Sequence, residues 1–197
     1  MSPRNYCYDT EFLENGETIE LISIGIVCDD GRGYYAVNSD MPADRIRKDK
    51  WLLENVWRHL PLVGYKREPY SVGGKIEHRT KEHYEGVLDA KSTLVKPKWV
   101  IANEVREFIL ECIPLGDTPK LWAYYGAYDH VALAQLFGKM IHLPDGIPMW
   151  THELMQLMES MPGSWGPPAR EDADEHHALA DARWNMQVLQ SILEAQR

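Results

Sequence analysis

The sequence predicts an α/β protein with a mixed five-stranded sheet, three antiparallel strands followed by two parallel ones, flanked by helices. Three observations carry this reading. Residues 19–28, Ile-Glu-Leu-Ile-Ser-Ile-Gly-Ile-Val-Cys, are rich in β-branched side chains and suit a long, well-buried strand. Asp29-Asp30-Gly31 is a turn signal, and residues 33–38 read as the returning strand of a hairpin. After residue 97, strand-like and helix-like patterns alternate, as they do when helices pack on the faces of a sheet.

The elements follow in order. Residues 4–9 are a short opening strand with an apolar start, Tyr6-Cys7-Tyr8. Residues 49–59 form a candidate helix, and Pro61, Gly64, Pro69, Gly73 and Gly74 then punctuate a loop-rich stretch. Pro97 suits the first turn of a helix whose apolar face would hold Val100, Val105, Phe108, Ile109 and Cys112. Residues 120–125 read as a strand, Gly126 as a turn and 127–137 as a helix. Residues 147–150 suggest a short strand, and 152–161 a helix. A polar loop over 162–174 leads into a last helix over 178–194. There Leu179, Ala182, Met186, Leu189 and Leu193 recur at steps of three and four, which predicts one buried stripe.

The 197 residues suit one domain, 1–197, with a basic, loop-rich insertion at about 63–96. No apolar run approaches the roughly 20 residues that span a bilayer. Met1-Ser2-Pro3-Arg4-Asn5 lacks a secretory signal's apolar stretch, so a cytoplasmic location is expected. Cys7, Cys28 and Cys112 lie far apart and read as reduced core residues. The net charge of −9 at first argues against a nucleic-acid partner. Its distribution softens that: residues 45–98 hold 13 of the 21 Lys and Arg against 7 Asp and Glu, so the segment is +6 and the remainder −15. Such asymmetry marks either a polyanion-binding face or a merely solvated surface.

Three carboxylate motifs carry the chemistry. In Asp9-Thr10-Glu11, alternate strand residues share a face, so Asp9 and Glu11 point the same way. Two adjacent carboxylates repel unless a cation or proton lies between them, and hard cations such as Mg²⁺ prefer such oxygens. Read alone, the pair is more simply an exposed strand end. Asp129 falls in the first turn of a helix after Gly126, where the helix dipole alone would favour an acid. In Glu175-His176-His177-Ala178-Leu179-Ala180-Asp181, Asp181 would occupy the first turn of the last helix, with His176 on the loop just before it. As isolated residues, the two histidines are more simply solvent-exposed loop groups.

The ordered set Asp-x-Glu, Asp at a strand-to-helix junction and His-x4-Asp at the last helix resembles the DEDDh exonucleases, whose fold is ribonuclease H-like. Asp9-Thr10-Glu11-Phe12, the run from Thr18 to Gly25, and Gly126-Ala127-Tyr128-Asp129-His130-Val131-Ala132-Leu133 look closer still to the polyadenylate-specific exoribonuclease (RNase AS) family, relatives of RNase T. The resemblance implies two Mg²⁺ ions, with Mn²⁺ as a substitute. Asp9, Glu11 and Asp181 would bind one ion, Asp9 would also touch the second, and Asp129 would assist directly or through water. His176 would be the general base. It implies a single-stranded RNA 3′ end as substrate, adenylate-rich tails as the preferred one, nucleoside 5′-monophosphates as products, and a homodimer. A DNA exonuclease and a non-catalytic nucleic-acid-binding relative remain the alternatives. Thr10 and Phe12, beside the acidic pair, are candidate substrate contacts; Trp122, Trp150 and Trp165 are weaker ones, because most tryptophans serve packing.

Overall fold

The computed structural model describes residues 4–64, 70–72, 75–77, 86–111, 113, 117–170 and 175–196. Cys112, expected on a helix face, lies outside them. Strands β1 (Asn5–Glu14), β2 (Ile19–Cys28) and β3 (Gly33–Asn38) form the expected antiparallel meander. Helices α1 (Ala43–Ile46) and α2 (Lys50–Asn55) follow, α2 being capped by the Asp49 carboxylate, which accepts from the Leu52 amide. Strand β4 (Leu62–Val63) pairs with β7 (Val87–Leu88), and β5 (Tyr70–Val72) with β6 (Lys75–Glu77). The chain then runs through β8 (Val95–Lys96), α3 (Lys98–Leu110), β9 (Lys120–Ala123), α4 (Ala127–Gln135), β10 (His152–Glu153), α5 (Leu154–Glu159) and α6 (Ala178–Ala195).

The main sheet has six strands, not five, in the order β10-β9-β1-β2-β3-β8. The additional strand is β8, which pairs parallel to β3 through only two residues and is too short to show a periodic pattern. Strands β9 and β10 run parallel to β1, as expected of the second half. The last of them is His152–Glu153, however, and not residues 147–150. Pro148 lacks the amide a strand needs there, and Ile147 instead buries its side chain in the core. The opening strand is also longer than expected, so Asp9 and Glu11 sit within β1 instead of at its end.

Helices cover both faces of the sheet. On one, Tyr6, Tyr8, Ile24 and Ile26 pack against Ile101, Val105 and Ile109 of α3 and Ala132 and Leu133 of α4. On the other, Cys7 and Val27 pack against Leu154 of α5 and Ala182, Met186 and Leu189 of α6. Cys7 and Cys28 are free and buried. The buried face of α6 is rotated from the expected stripe. Leu193 is exposed, while Asp181 and Asn185 turn inward with Ala178, Ala182, Met186, Val188, Leu189 and Ile192. Asn185 offsets its burial by donating to the Tyr8 carbonyl oxygen at 3.3 Å. Among the described residues, no helix is long and apolar enough to cross a membrane.

Candidate active site

Strand β9 pairs with β1 only through Asn5, Tyr6 and Cys7. Beyond that point the two strands part, and β1 continues alone along that edge through Asp9, Thr10 and Glu11. Crevices at the carboxyl ends of parallel strands are the usual ligand sites of α/β sheets. Asp129, in the first turn of α4, fills the edge here. Its Oδ1 accepts from the Thr10 amide at 2.7 Å and the Thr10 hydroxyl at 2.6 Å. Thr10, a candidate substrate contact, is buried and committed to holding Asp129.

Asp9 and Glu11 face α6. Across the sheet, Asp9 lies opposite Gly25 of β2, which lies opposite Tyr35 of β3. A Cβ built on Gly25 would sit 2.3 Å from the Leu179 amide nitrogen and 2.4 Å from the Ala178 carbonyl. The missing side chain is therefore what lets the start of α6 rest on β2. That contact carries Asp181 to the acidic pair. Glu11, His176 and Asp181 each present a ligand atom within 4.8 Å of the others. The β1–β2 register shifts immediately after Glu11, and such bulges re-aim side chains.

The two histidines separate cleanly. His177 is the N-cap of α6: its Nδ1 accepts from the Ala180 amide at 3.4 Å, and its ring stacks on Tyr35 with centroids 4.4 Å apart. His176 adopts a left-handed backbone with φ 66°, and its amide donates to Asp181 Oδ2 at 3.1 Å. Its ring meets the edge of exposed Trp51, 4.7 Å between centroids.

The electrostatics follow from the burial of like charges. Desolvation, then repulsion from Asp129, Glu11 and Asp181, raises Asp9 well above the ordinary carboxylate range. Desolvation and the charges of Asp181 and Asp129 do the same to Glu11. Desolvation raises Asp129 to about 6 against the opposing bonds from Thr10. Asp181 is raised by burial and partly relieved by Arg170, with which it forms an ion pair. A buried set of carboxylate oxygens fits a hard divalent cation, which would remove the repulsion that lifts these groups, and leaves the His176 imidazole beside it free of a ligand role.

Sequence reasoning missed three contributors. Arg170 reaches Asp181 from the loop before α6. Glu153 accepts from the amides of Tyr125 at 2.9 Å, Gly126 at 2.7 Å and Met155 at 3.1 Å, which fixes the turn that launches α4 and Asp129. Trp51 arrives from α2. All three come from separate segments, and their meeting leaves no local spacing signal. Phe12 is half-buried and stacks on exposed Tyr128, with centroids 5.8 Å apart. Trp122 stacks on His152 and donates to Asn5, a packing role, while Trp150 is exposed beside the same histidine. Trp165 is half-buried in the loop before α6, its amide donating to the Pro162 carbonyl oxygen.

A mixed sheet flanked by helices, with strand order and acidic cluster arranged in this way, defines an α/β protein of roughly ribonuclease H-like architecture with a carboxylate-lined site. Residues 4–193 match the family model described as the 3′-5′ exoribonuclease Rv2179c-like domain, and the chain belongs to that family. Two Mycobacterium tuberculosis proteins are similar to it, the 3′-5′ exoribonuclease Rv2179c of strain H37Rv and the 3′-5′ exoribonuclease MT2234.1 of strain CDC 1551. Each is 39% identical over 178 residues, covering 90% of this chain and 86% of the relative.

Proposed function

We propose that this chain is a divalent-cation-dependent 3′→5′ exoribonuclease of the DEDDh type, releasing nucleoside 5′-monophosphates from single-stranded RNA. The observation that carries the reading is the convergence of Glu11, His176 and Asp181 beside Asp9 and Asp129. Membership of a family described as 3′-5′ exoribonucleases supports the substrate class and direction.

In this reading Asp9, Glu11 and Asp181 would hold one Mg²⁺, and Asp9 would contribute to a second with help from Asp129, directly or through water. When bound, the ions supply activation of the attacking water and stabilisation of charge on the leaving oxygen. His176 takes the proton from that water as general base. The resulting hydroxide attacks the terminal phosphodiester phosphorus, the bond to the 3′-oxygen breaks, and that oxygen takes up a proton. One nucleoside 5′-monophosphate and a chain shorter by one nucleotide result. Phe12 and Tyr128 offer an aromatic surface near the acidic pair on which a terminal base can stack; in single-strand binders such stacking is worth roughly 1–3 kcal/mol per base. A preference for adenylate-rich tails rests on the RNase AS resemblance of the three motif segments.

The test uses 5′-labelled RNA and DNA homopolymers, with Mg²⁺ or with EDTA. Stepwise shortening of RNA from the 3′ end, abolished by EDTA and blocked by a 3′-phosphate, is expected. Cleavage of a circular RNA, or turnover that persists in EDTA, would refute the reading. Faster loss of DNA than RNA would reassign the substrate, and equal rates on all four homopolymers would remove the adenylate preference alone.

A further inference from the structure

We propose that Arg170 is a phosphate-binding residue, parked on Asp181 in the cation-free protein and transferred to a phosphodiester oxygen of RNA when the site is loaded. The inference rests on the exoribonuclease reading and adds a substrate contact that the carboxylate motifs do not contain.

Arg170 is built into the edge of the site. Its Nη2 pairs with Asp181 Oδ1, and its Nη1 lies 3.8 Å from Glu175. The guanidinium also lies over the Trp184 ring, 5.2 Å from its centroid. Trp184 is itself anchored, its Nε1 donating to the Pro168 carbonyl oxygen at 3.1 Å. The same tryptophan therefore holds both the loop and the arginine, from a position one turn along α6 from Asp181. The positive charge also opposes the upward shifts of Asp9 and Glu11, so the guanidinium acts on the cluster beyond its direct partner.

A cation in the site would weaken that arrangement. Asp181 is buried, with Oδ1 on Arg170 and Oδ2 on the His176 amide. A hard cation on Asp181 needs one of these oxygens at about 2.0–2.1 Å for Mg²⁺. A guanidinium on that oxygen would then face a like charge at short range in a poorly solvated place, where repulsion is strong. A cation on Oδ2 would leave the two charges across one carboxylate, which also weakens the pair; in both cases the guanidinium is loosened, while the Trp184 ring keeps it at the rim. Its planar fork of donors pairs best with a planar or tetrahedral oxyanion, and phosphodiester oxygens are the anions an RNA chain brings. Paired with Asp181, the arginine limits carboxylate repulsion. After loading, it serves the substrate.

The test compares wild type, Arg170→Ala and Arg170→Lys by two readouts besides turnover. The first is binding of 5′-labelled single-stranded oligoadenylate by anisotropy across a NaCl series, with Ca²⁺ in place of Mg²⁺ to slow hydrolysis. The second is Mn²⁺ binding by calorimetry without RNA. Arg170→Ala should lose about tenfold in RNA affinity, and its salt slope should fall by about 0.7, the share of one phosphate contact on a single strand. Its Mn²⁺ affinity should hold or tighten, because a competitor for Asp181 has gone. Arg170→Lys keeps a charge without the fork and should retain the salt slope while losing affinity. If Arg170→Ala does not fold, unchanged affinity in Arg170→Lys overturns the proposal, and weakened affinity at constant slope supports it. An Arg170→Ala protein with wild-type RNA affinity and slope overturns it, as does a loss of Mn²⁺ affinity with RNA binding unaltered, the pattern of a purely structural ion pair. Wild type that neither binds nor degrades RNA would instead defeat the exoribonuclease reading beneath it.

Discussion

Adjacent histidines at the start of α6 are given different work by one backbone angle. The left-handed conformation of His176 turns its ring toward Glu11 and Asp181, while the ring of His177 caps the helix and lies on Tyr35. His176→Ala should therefore lose about 10²–10⁴-fold in rate, the usual cost of a missing general base. His177→Ala should stay within several-fold in rate but melt earlier, since losing a cap costs about 1 kcal/mol. Rates and melting curves of the pair check this, and a large rate loss at His177 instead would move the base by one residue. The carboxylates make a second prediction, about pH. Asp9, Glu11 and Asp181 are raised by burial, and Asp129 to about 6, so the cation-free folded state binds more protons than the unfolded chain. Stability then falls as pH rises above the ordinary carboxylate range; the Asp129 share is lost through about 6, and the shares of Asp9, Glu11 and Asp181 as pH passes their own raised values. In EDTA, Asp9→Asn should gain stability over the parent at pH 7 and less or none at pH 4, while losing Mg²⁺-dependent turnover. Taking the difference between the two proteins cancels the titrating groups that do not interact with Asp9, and leaves its coupling to Glu11, Asp129 and Asp181 within the measured effect. A variant less stable than the parent at pH 7 would contradict the repulsion argument. At this scale the sequence was informative where chemistry follows spacing, as in Asp9-Thr10-Glu11 and the interval from His176 to Asp181. It was silent on Arg170 and Glu153, whose partners lie in other segments and are found only by folding.

Among the elements, β2 and α6 decide whether the site exists. Gly25 interrupts an otherwise bulky strand, and read as sequence it is only a weak point in a β-branched run. In the structure it is the place where two backbones touch. Gly25→Ala puts a Cβ within 2.4 Å of the Ala178–Leu179 peptide, and backbone atoms cannot step aside as a flexible side chain does. Overpacking of this kind typically costs about 1–3 kcal/mol. The start of α6 should lift, drawing Asp181 and His176 from Glu11. The expected result is a folded protein with weaker Mn²⁺ affinity by calorimetry, lower turnover and a reduced melting temperature. Unchanged cation affinity would show that α6 can be repositioned without disturbing the cluster. The meander and the long helices α3, α4 and α6 were legible because each buries a periodic face over several turns or a full strand. Strands β8 and β10 were not, since each has two residues and exists only through its neighbour's hydrogen bonds. The extension of β1 to Glu14 was missed for a related reason. Its charged residues read as a strand end, yet the pairing with β2 carries them inside.

For the molecule as a whole, charge is divided in a way that bears on long substrates. The chain is −9 overall, while residues 45–98 are +6. This segment is not remote from the chemistry: Trp51 of α2, within it, touches His176. Lys48, Lys50 and Lys91 are exposed, and they can meet phosphates upstream of the nucleotide being removed. Each phosphate neutralised on a single strand releases counterions worth about 0.7 in the slope of log affinity against log salt. Replacing these three lysines with glutamine should thus lower the slope by up to about 2 for an oligonucleotide long enough to reach them. Hydrolysis of a dinucleotide, which has no upstream phosphates, should hardly change. The two substrates separate the possibilities. A fall in slope on long RNA with intact dinucleotide turnover places the segment on the RNA path. An unaltered slope makes it a solvated surface whose sign has no bearing on binding. Equal losses on both substrates would mean that the lysines act on the acidic cluster through its field, and the Arg170 variants, measured in the same salt series, would show whether the two effects add.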